Sequence, residues 1–268
     1  MIFLRSVEIR SLKEQEGTGF PFSLGVLRSL REIVFPAPVT FFVGDNGSGK
    51  STILEALACA INSITVGSES VKTDKSLAPL RELARHFRLI WEKPTHRGFF
   101  LRAEDFFGYA KTMRQTQEEL RREMNAIERD YKDRSTLAAD LARMPYANEL
   151  HAMDRRYGDG LDSRSHGESF LTLFQSRFVP EGLYLLDEPE APLSPMRQLT
   201  FLSLLKQMVE QSSQFIVATH SPILLAFPGA AILSFDGGKI HAVRYDELEH
   251  VNLIRDFVNR PESFLRHL

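Results

Sequence analysis

Disulfide chemistry has almost nothing to work with in this sequence, because its 268 residues include one cysteine, Cys59. A single thiol excludes a disulfide framework and a cysteine-rich metal site. It fits a reducing cytoplasm, and the apolar helical surroundings of Cys59 assign it to core packing. Long hydrophobic runs are missing as well. No stretch of about 18 uncharged apolar residues occurs, so no integral membrane segment is expected. The first residues, MIFLRSVEIRSLK, hold Arg5 and Glu8 inside their only apolar stretch and alternate like a strand, which argues against a signal peptide. An excess of charge is also absent. The 33 Lys and Arg against 35 Asp and Glu leave a formal −2, which makes no global case for nucleic-acid binding and leaves local patches open. No internal repeat or low-complexity tract is visible. What remains is 43% hydrophobic and 25% charged, the composition of a globular chain long enough to bury a full core.

Patterning then divides the chain. Residues 1 to 43 read as short strands: IFLRSVEIR, a second around Phe20 to Val26, and PVTFFVG. Thr52 to Asn62 has the apolar spacing of a packed helix. From Lys111 to Arg134, charges of both signs surround Met113, Leu120, Met124, Ile127 and Tyr131, which recur at three, four and seven. That spacing predicts an exposed amphipathic helix, a solvated surface or a nucleic-acid face. The turn-rich YGDGLDSRSH closes this excursion. Compact alternation resumes with SFLTLFQSRF as helix, GLYLLDEP as buried strand, SPMRQLTFLSLLKQMVEQ as helix and FIVATHSP as strand. AILSFD and KIHAVRY form a hairpin around a DGG turn, and VNLIRDFVNR ends the pattern as a helix. Buried strands alternating with helices predict an α/β fold with a largely parallel sheet. The expected organisation is a single domain, 1–268, with N-terminal antiparallel strands and a helical insertion at about 105–165.

Four motifs carry chemistry. Gly44, Gly49, Lys50 and Ser51 complete G-x-x-x-x-G-K-[ST] between an apolar strand and a helix start. The glycines let backbone N–H groups turn toward phosphates, Lys50 reaches the β- and γ-phosphates, and the Ser51 hydroxyl suits Mg²⁺. The apolar strand of residues 183 to 186 ends in Asp187 and Glu188. Asp187 is placed to hold Mg²⁺ through water, and Glu188 to orient and polarise an attacking water. Ser165-His166-Gly167-Glu168-Ser169 opens the helix leading to that strand and, taken alone, is an ordinary helix cap. His220 ends the strand FIVATH, which should lie beside the strand entering the glycine turn, bringing the imidazole near a γ-phosphate.

In this order, across residues 39 to 222, the four motifs resemble the ATP-binding-cassette (ABC-type) ATPases of the P-loop NTPase class. SHGES is related to that family's LSGGQ signature, with Arg164 and His166 replacing the leucine and first glycine. DEPEAPLS resembles the D-loop entry. The phrases SHGESF, GLYLLDEPEAPLSP, FIVATHSPILLA and RGFFLRAEDFF resemble a group of bacterial stand-alone soluble AAA/SMC-like ATPases. The resemblance implies ATP and Mg²⁺ as cofactors, with Gly44, Asp45, Asn46, Gly47, Ser48, Gly49, Lys50, Ser51 and Thr52 binding nucleotide. It implies Ser51 and Asp187 as metal ligands and Glu188 and His220 as catalytic residues. Ser165, Gly167 and Glu168 would contact the nucleotide held by the other subunit of an ATP-dependent homodimer. The family's Q-loop glutamine is not at its usual place. The nearest candidate is Glu104, which would approach Mg²⁺. Phe20 and Phe22 are the loosely placed candidates for stacking on adenine.

Three functions fit this pattern. One is a stand-alone cytoplasmic ATPase acting on an unidentified macromolecular partner, DNA or a protein such as a defence-system component. Another is the motor subunit of an ABC membrane transporter. The third is an SMC-like DNA-repair ATPase, which normally needs a long coiled coil, whereas the helical insertion here is too short for an extended arm.

Overall fold

The computed structural model describes residues 1–10, 19–66, 70–132, 135–157 and 166–266. The chain begins with β1 (Leu4–Ile9), α1 (Gly25–Ser29), β2 (Glu32–Val34) and β3 (Val39–Val43), which enters the glycine turn and α2 (Lys50–Ile61). Then come α3 (Ala78–Ala84), β4 (Phe87–Trp91) and β5 (Phe100–Arg102), followed by two long helices, α4 (Ala103–Asp130) and α5 (Thr136–Tyr157). After α6 (His166–Arg177) the chain alternates through β6 (Leu183–Asp187), α7 (Pro195–Glu210) and β7 (Gln214–Ala218) to α8 (Pro222–Leu225). It closes with β8 (Ala231–Ser234), β9 (His241–Ala242), α9 (Glu249–Asn259) and α10 (Pro261–Leu265).

Two sheets result. β2-β1-β4 is a small antiparallel sheet, and β5-β6-β7-β3-β8-β9 is the main sheet, parallel except for the β8–β9 hairpin. The central strands carry apolar side chains on both faces, as a covered parallel sheet requires. Their period of two sends Phe42, Leu185, Ile216 and Leu233 to one face with α2 and the small sheet. Phe41, Leu186, Val217 and Ile232 go to the other, against α6 and α7. There Tyr184 stacks on Phe215 with ring centroids 5.0 Å apart and meets Phe178 edge-on at 4.7 Å. Its hydroxyl donates to the Val179 carbonyl at 2.7 Å, and burial pushes it up to about 12.

The expected strand around Phe20 to Val26 is not formed. This stretch is a turn, with Ser23 N–H on the Gly19 carbonyl and Leu24 N–H on the Pro21 carbonyl, running into α1. Phe22, Leu24 and Val26 alternate like a strand, but Pro21 has no N–H for a ladder. The side chains that bury are Val26, Leu27 and Leu30, at helical spacing. The amphipathic helix expected from Lys111 starts earlier, at Ala103, directly on the end of β5.

Among the described residues, no helix is long and apolar enough to cross a membrane.

Gln214, fully buried at the start of β7, joins the two sheets. Its Oε1 accepts from Phe3 N–H (2.8 Å) and Leu4 N–H (2.9 Å), and its Nε2 donates to the Leu4 carbonyl (2.9 Å). Replacing it strands three buried backbone groups. Gln214→Ala should therefore lower stability by about 3 kcal/mol, measured as a shift in the urea midpoint. A midpoint within error of the parent would mean that this junction contributes nothing.

Candidate functional site

β3 runs directly into the glycine turn, whose backbone only glycine tolerates at its sharpest points. Gly44 has φ +140° and Gly49 φ +104°. A Cβ at Gly44 would lie 2.9 Å from Asp236 Oδ1 and 3.0 Å from Ser48 Oγ. Gly49 also precedes α2 and brings no capping side chain. The first-turn N–H groups of α2 are therefore left for a ligand, with the helix dipole favouring an anion. Ser48 Oγ is buried and has no hydrogen-bond partner among the described residues. Lys50 is buried, and its ammonium donates to the carbonyls of Gly44 (2.6 Å) and Asp45 (2.9 Å). Burial lowers its pKa, against the opposing pull of Glu188, Asp187, Asp236 and Asp45. Asp45 N–H donates to Asp236 Oδ1 at 2.8 Å, which ties the turn to the end of β8. Asn46 and Gly47 are exposed at the tip of the turn, and Thr52 follows in α2.

The order β6-β7-β3 decides what meets this turn. Asp187 ends β6, two strands away from β3, and Ser51 Oγ donates to its Oδ1 at 3.0 Å. As a whole residue Asp187 is only partly buried, but its carboxyl is enclosed, and that enclosure pushes its pKa up to about 7. The Ser51 hydrogen bond works against the shift, while Glu55, Glu188 and Glu190 add to it. A cation offsets the cost of such a buried carboxylate. The Ser51 hydroxyl, the Asp187 carboxylate, the unpartnered Ser48 Oγ and the open N–H cradle together fit Mg²⁺ and the phosphates of a nucleotide.

Glu188 stands beside them at φ +48°, an unusual backbone for a residue with a Cβ, and its N–H donates to the Ala218 carbonyl at 2.9 Å. β7 pairs directly with β3, as expected, so His220 just beyond it faces the same end of the sheet. His220 N–H donates to Glu190 Oε1 at 2.8 Å, while its buried Nε2 has no partner among the described residues. Burial and then the Lys50 charge hold its pKa below the ordinary value, against Glu188.

Other expected residues are placed differently. Glu104 is 77% exposed, with its carboxylate 3.7 Å from Arg102. Arg102 instead takes the strand position paired with Asp187 and binds Asp105 (2.7 Å), Asp74 (2.9 Å) and Glu55 (3.2 Å). The structure thus leaves Glu104 in solvent. Phe20 is exposed, and Phe22 rests edge-on against His86. Gly167 and Glu168 lie in the first turn of α6, and Glu168 pairs with Arg197 of α7 at 2.8 Å. Ser165 lies outside the described residues.

Sequence reasoning missed three acids. Glu190 orders the His220 backbone and Asp236 braces the glycine turn, while Glu55 sits one helical turn beyond Ser51. Only Glu190 left a signal, as the third acid of DEPE.

The chain matches two family models. One is described as "AAA domain" and covers residues 23–88. The other is described as "AAA domain, putative AbiEii toxin, Type IV TA system" and covers residues 76–226. Over 222 residues it is 28% identical to Hemin import ATP-binding protein HmuV of Pseudomonas entomophila (strain L48), covering 81% of this chain and 80% of that protein. Among solved structures it is similar to cbiO1 of Clostridium perfringens, part of an ABC transporter complex. That match has a TM-score of 0.48 and 15% identity and covers 100% of both chains. It is also similar to an Smc head domain of Pyrococcus furiosus, with a TM-score of 0.47 and 11% identity, over 96% of this chain and 100% of that one.

The raised pKa of Asp187 sets a pH dependence. Its folded value, about 7, lies above the ordinary 3.8, so the ionised carboxylate opposes folding increasingly as pH rises between those values. In metal-free buffer at pH 8, Asp187→Asn should therefore be more stable than the parent, by up to about 4 kcal/mol. The gain should vanish below about pH 4, where the parent is protonated too. Urea unfolding at the two pH values checks this. An equal gain at both would contradict the assignment.

Proposed function

The chain belongs to the AAA-domain family that it matches over residues 76–226, within the ABC and AAA-like ATPases, and we propose that it hydrolyses ATP as a head-to-tail dimer to act on a macromolecular partner. The observation that carries this reading is the 3.0 Å contact between Ser51 and Asp187, flanked by Lys50, Glu188 and His220 at one end of the sheet.

The division of labour follows from the placement. Residues 44 to 52 would wrap the phosphates with backbone N–H groups, and Lys50 would exchange its two carbonyl partners for the β- and γ-phosphate oxygens. Ser51 and Asp187 would hold Mg²⁺, which supplies charge neutralisation of the phosphates when bound. Glu188, its backbone fixed against the end of β7, would orient the attacking water and take its proton. His220, its backbone fixed by Glu190, would contact the γ-phosphate.

Ser165, Gly167 and Glu168 would meet the nucleotide of a second copy, since the N-terminus of α6 suits a terminal phosphate. Two copies related by a two-fold axis would bury two nucleotides. Met196 and Leu199, 72% and 50% exposed on α7 just beyond DEPEAPLS, give that surface apolar area to cover. We read residues 1–268 as one ATPase domain, with α4 and α5 filling the insertion at about 105–165. The single cysteine supports a cytoplasmic setting.

The partner is read as a macromolecule, DNA or a protein, and the toxin–antitoxin wording of the family description supports a defence-system component. A transporter-motor role is the second reading, favoured by the 28% identity to a hemin import ATP-binding protein.

Glu188→Gln keeps the side-chain shape and removes the base. Its ATP hydrolysis should fall by about 10² or more, while calorimetric ATP affinity stays at the parent level. Parental turnover in this variant would remove Glu188 from the mechanism and undercut the proposed reaction.

A further inference from the structure

A cleft of about 730 Å³ opens beside the glycine turn, lined by Gly44, Asp45, His220, Asp236 and, from the far end of the chain, His250. His250 lies in the first turn of α9, and that turn is firmly seated. Its neighbours Leu248 and Val251 are buried in the core on the α6–α7 side of the sheet. The Tyr245 hydroxyl donates to the Pro222 carbonyl at 3.1 Å, two residues beyond His220, and Asn252 Nδ2 donates to the Asp246 carbonyl at 2.8 Å. The segment carrying His250 is thus pinned to the loop carrying His220.

The two rings share a chemical condition. Nε2 of His220 and Nε2 of His250 are both enclosed and have no hydrogen-bond partner among the described residues. Leaving a buried polar atom unpaired is costly, and such atoms recur where a ligand completes the site. The nearby acids do not fill the role. Asp236 Oδ1 accepts from Asp45 N–H, and Asp236 Oδ2 accepts from Ser234 Oγ at 3.1 Å. Glu247 at the rim accepts from Arg244 N–H at 2.9 Å, and Glu249 is exposed.

His250 is also within electrostatic reach of the phosphate-binding residues. Burial depresses its pKa, the charges of Asp236 and Asp45 oppose that, and Lys50 adds to it. His250 in turn lowers His220. Two neutral imidazoles beside Lys50 offer N–H donors to an anionic oxygen without adding cations that would repel Lys50.

We propose that His250 is a nucleotide-binding residue that works with His220 on the terminal phosphate of ATP, so that α9 distinguishes a nucleoside triphosphate from a diphosphate. This rests on the reading of residues 44 to 52 as the phosphate cradle. It adds to that cradle a donor from beyond the β8–β9 hairpin, a part of the chain to which no motif pointed.

The test is calorimetric titration of Mg-ATP and Mg-ADP in the Glu188→Gln background, where ATP is not consumed. His250→Ala should weaken ATP roughly tenfold or more, the worth of one charge-assisted hydrogen bond. ADP, which lacks the γ-phosphate, should be unchanged. His250→Asn, which retains an N–H donor, should recover part of the ATP affinity, and it carries the test if circular dichroism shows His250→Ala unfolded. Equal losses for both nucleotides, or no loss for either, would overturn the proposal. So would loss of ATP-driven association with an unchanged ratio of ATP to ADP affinity, which would assign the cleft to the partner subunit. Lys50→Ala in the same background separates the two ideas. If it binds both nucleotides like the parent, the cradle itself is misassigned, whatever His250 does.

Discussion

A carboxyl group enclosed at the end of β6, with a serine hydroxyl from the first turn of α2 as its hydrogen-bond donor, sets the terms for the rest of this molecule. Asp187 is costly to ionise where it stands, and Glu55, Glu188 and Glu190 raise that cost. A fold would not keep an acid there for stability alone. Every neighbouring element serves the placement: β7 lies between β6 and β3 and leads to His220, while the glycine turn brings Lys50 and Ser51 across to the acid. The site is loaded with negative charge on one side and open N–H groups on the other. Mg²⁺ with a nucleoside triphosphate complements both halves, which neither the metal nor the phosphates would do alone.

The rigidity behind that arrangement comes from the two cores. A slip of one residue would exchange the side chains of the two faces and spoil the packing of both cores, so the ends of β3, β6 and β7 stay level with one another. The small sheet is fixed to this frame through Gln214 and buries α2 from outside. On the opposite face, Phe170, Phe174, Phe178, Tyr184, Phe201 and Phe215 form a continuous aromatic layer that holds α6 and α7. The signature-like helix start at Gly167 is thereby attached to the same sheet that carries Asp187.

Much of this was legible in the sequence because it depends on local chemistry. GDNGSGKST announces a turn that only glycine can make, and LYLLDE and FIVATH announce buried strands with polar tips. The alternation at Phe20 to Val26 does not by itself separate a strand from a turn feeding a helix, and Pro21, without an N–H for a ladder, favours the turn. Chain position points to Glu104, yet Arg102 at the strand tip gathers Glu55, Asp74 and Asp105 around itself and leaves Glu104 to solvent. Asp236 and His250 were invisible for a different reason. Each is a lone polar residue far along the chain, and only the closure of β8 and β9 and the docking of α9 bring them to the glycine turn.

In the proposed dimer ATP is the adhesive between two copies, each supplying a phosphate cradle to itself and a helix start to its partner. Light scattering on Glu188→Gln, which should hold ATP without consuming it, reads this most directly. The expected mass is near the 30.5 kDa of one chain without nucleotide and twice that in saturating Mg-ATP. A protein that binds Mg-ATP and keeps the mass of a single chain would contradict it.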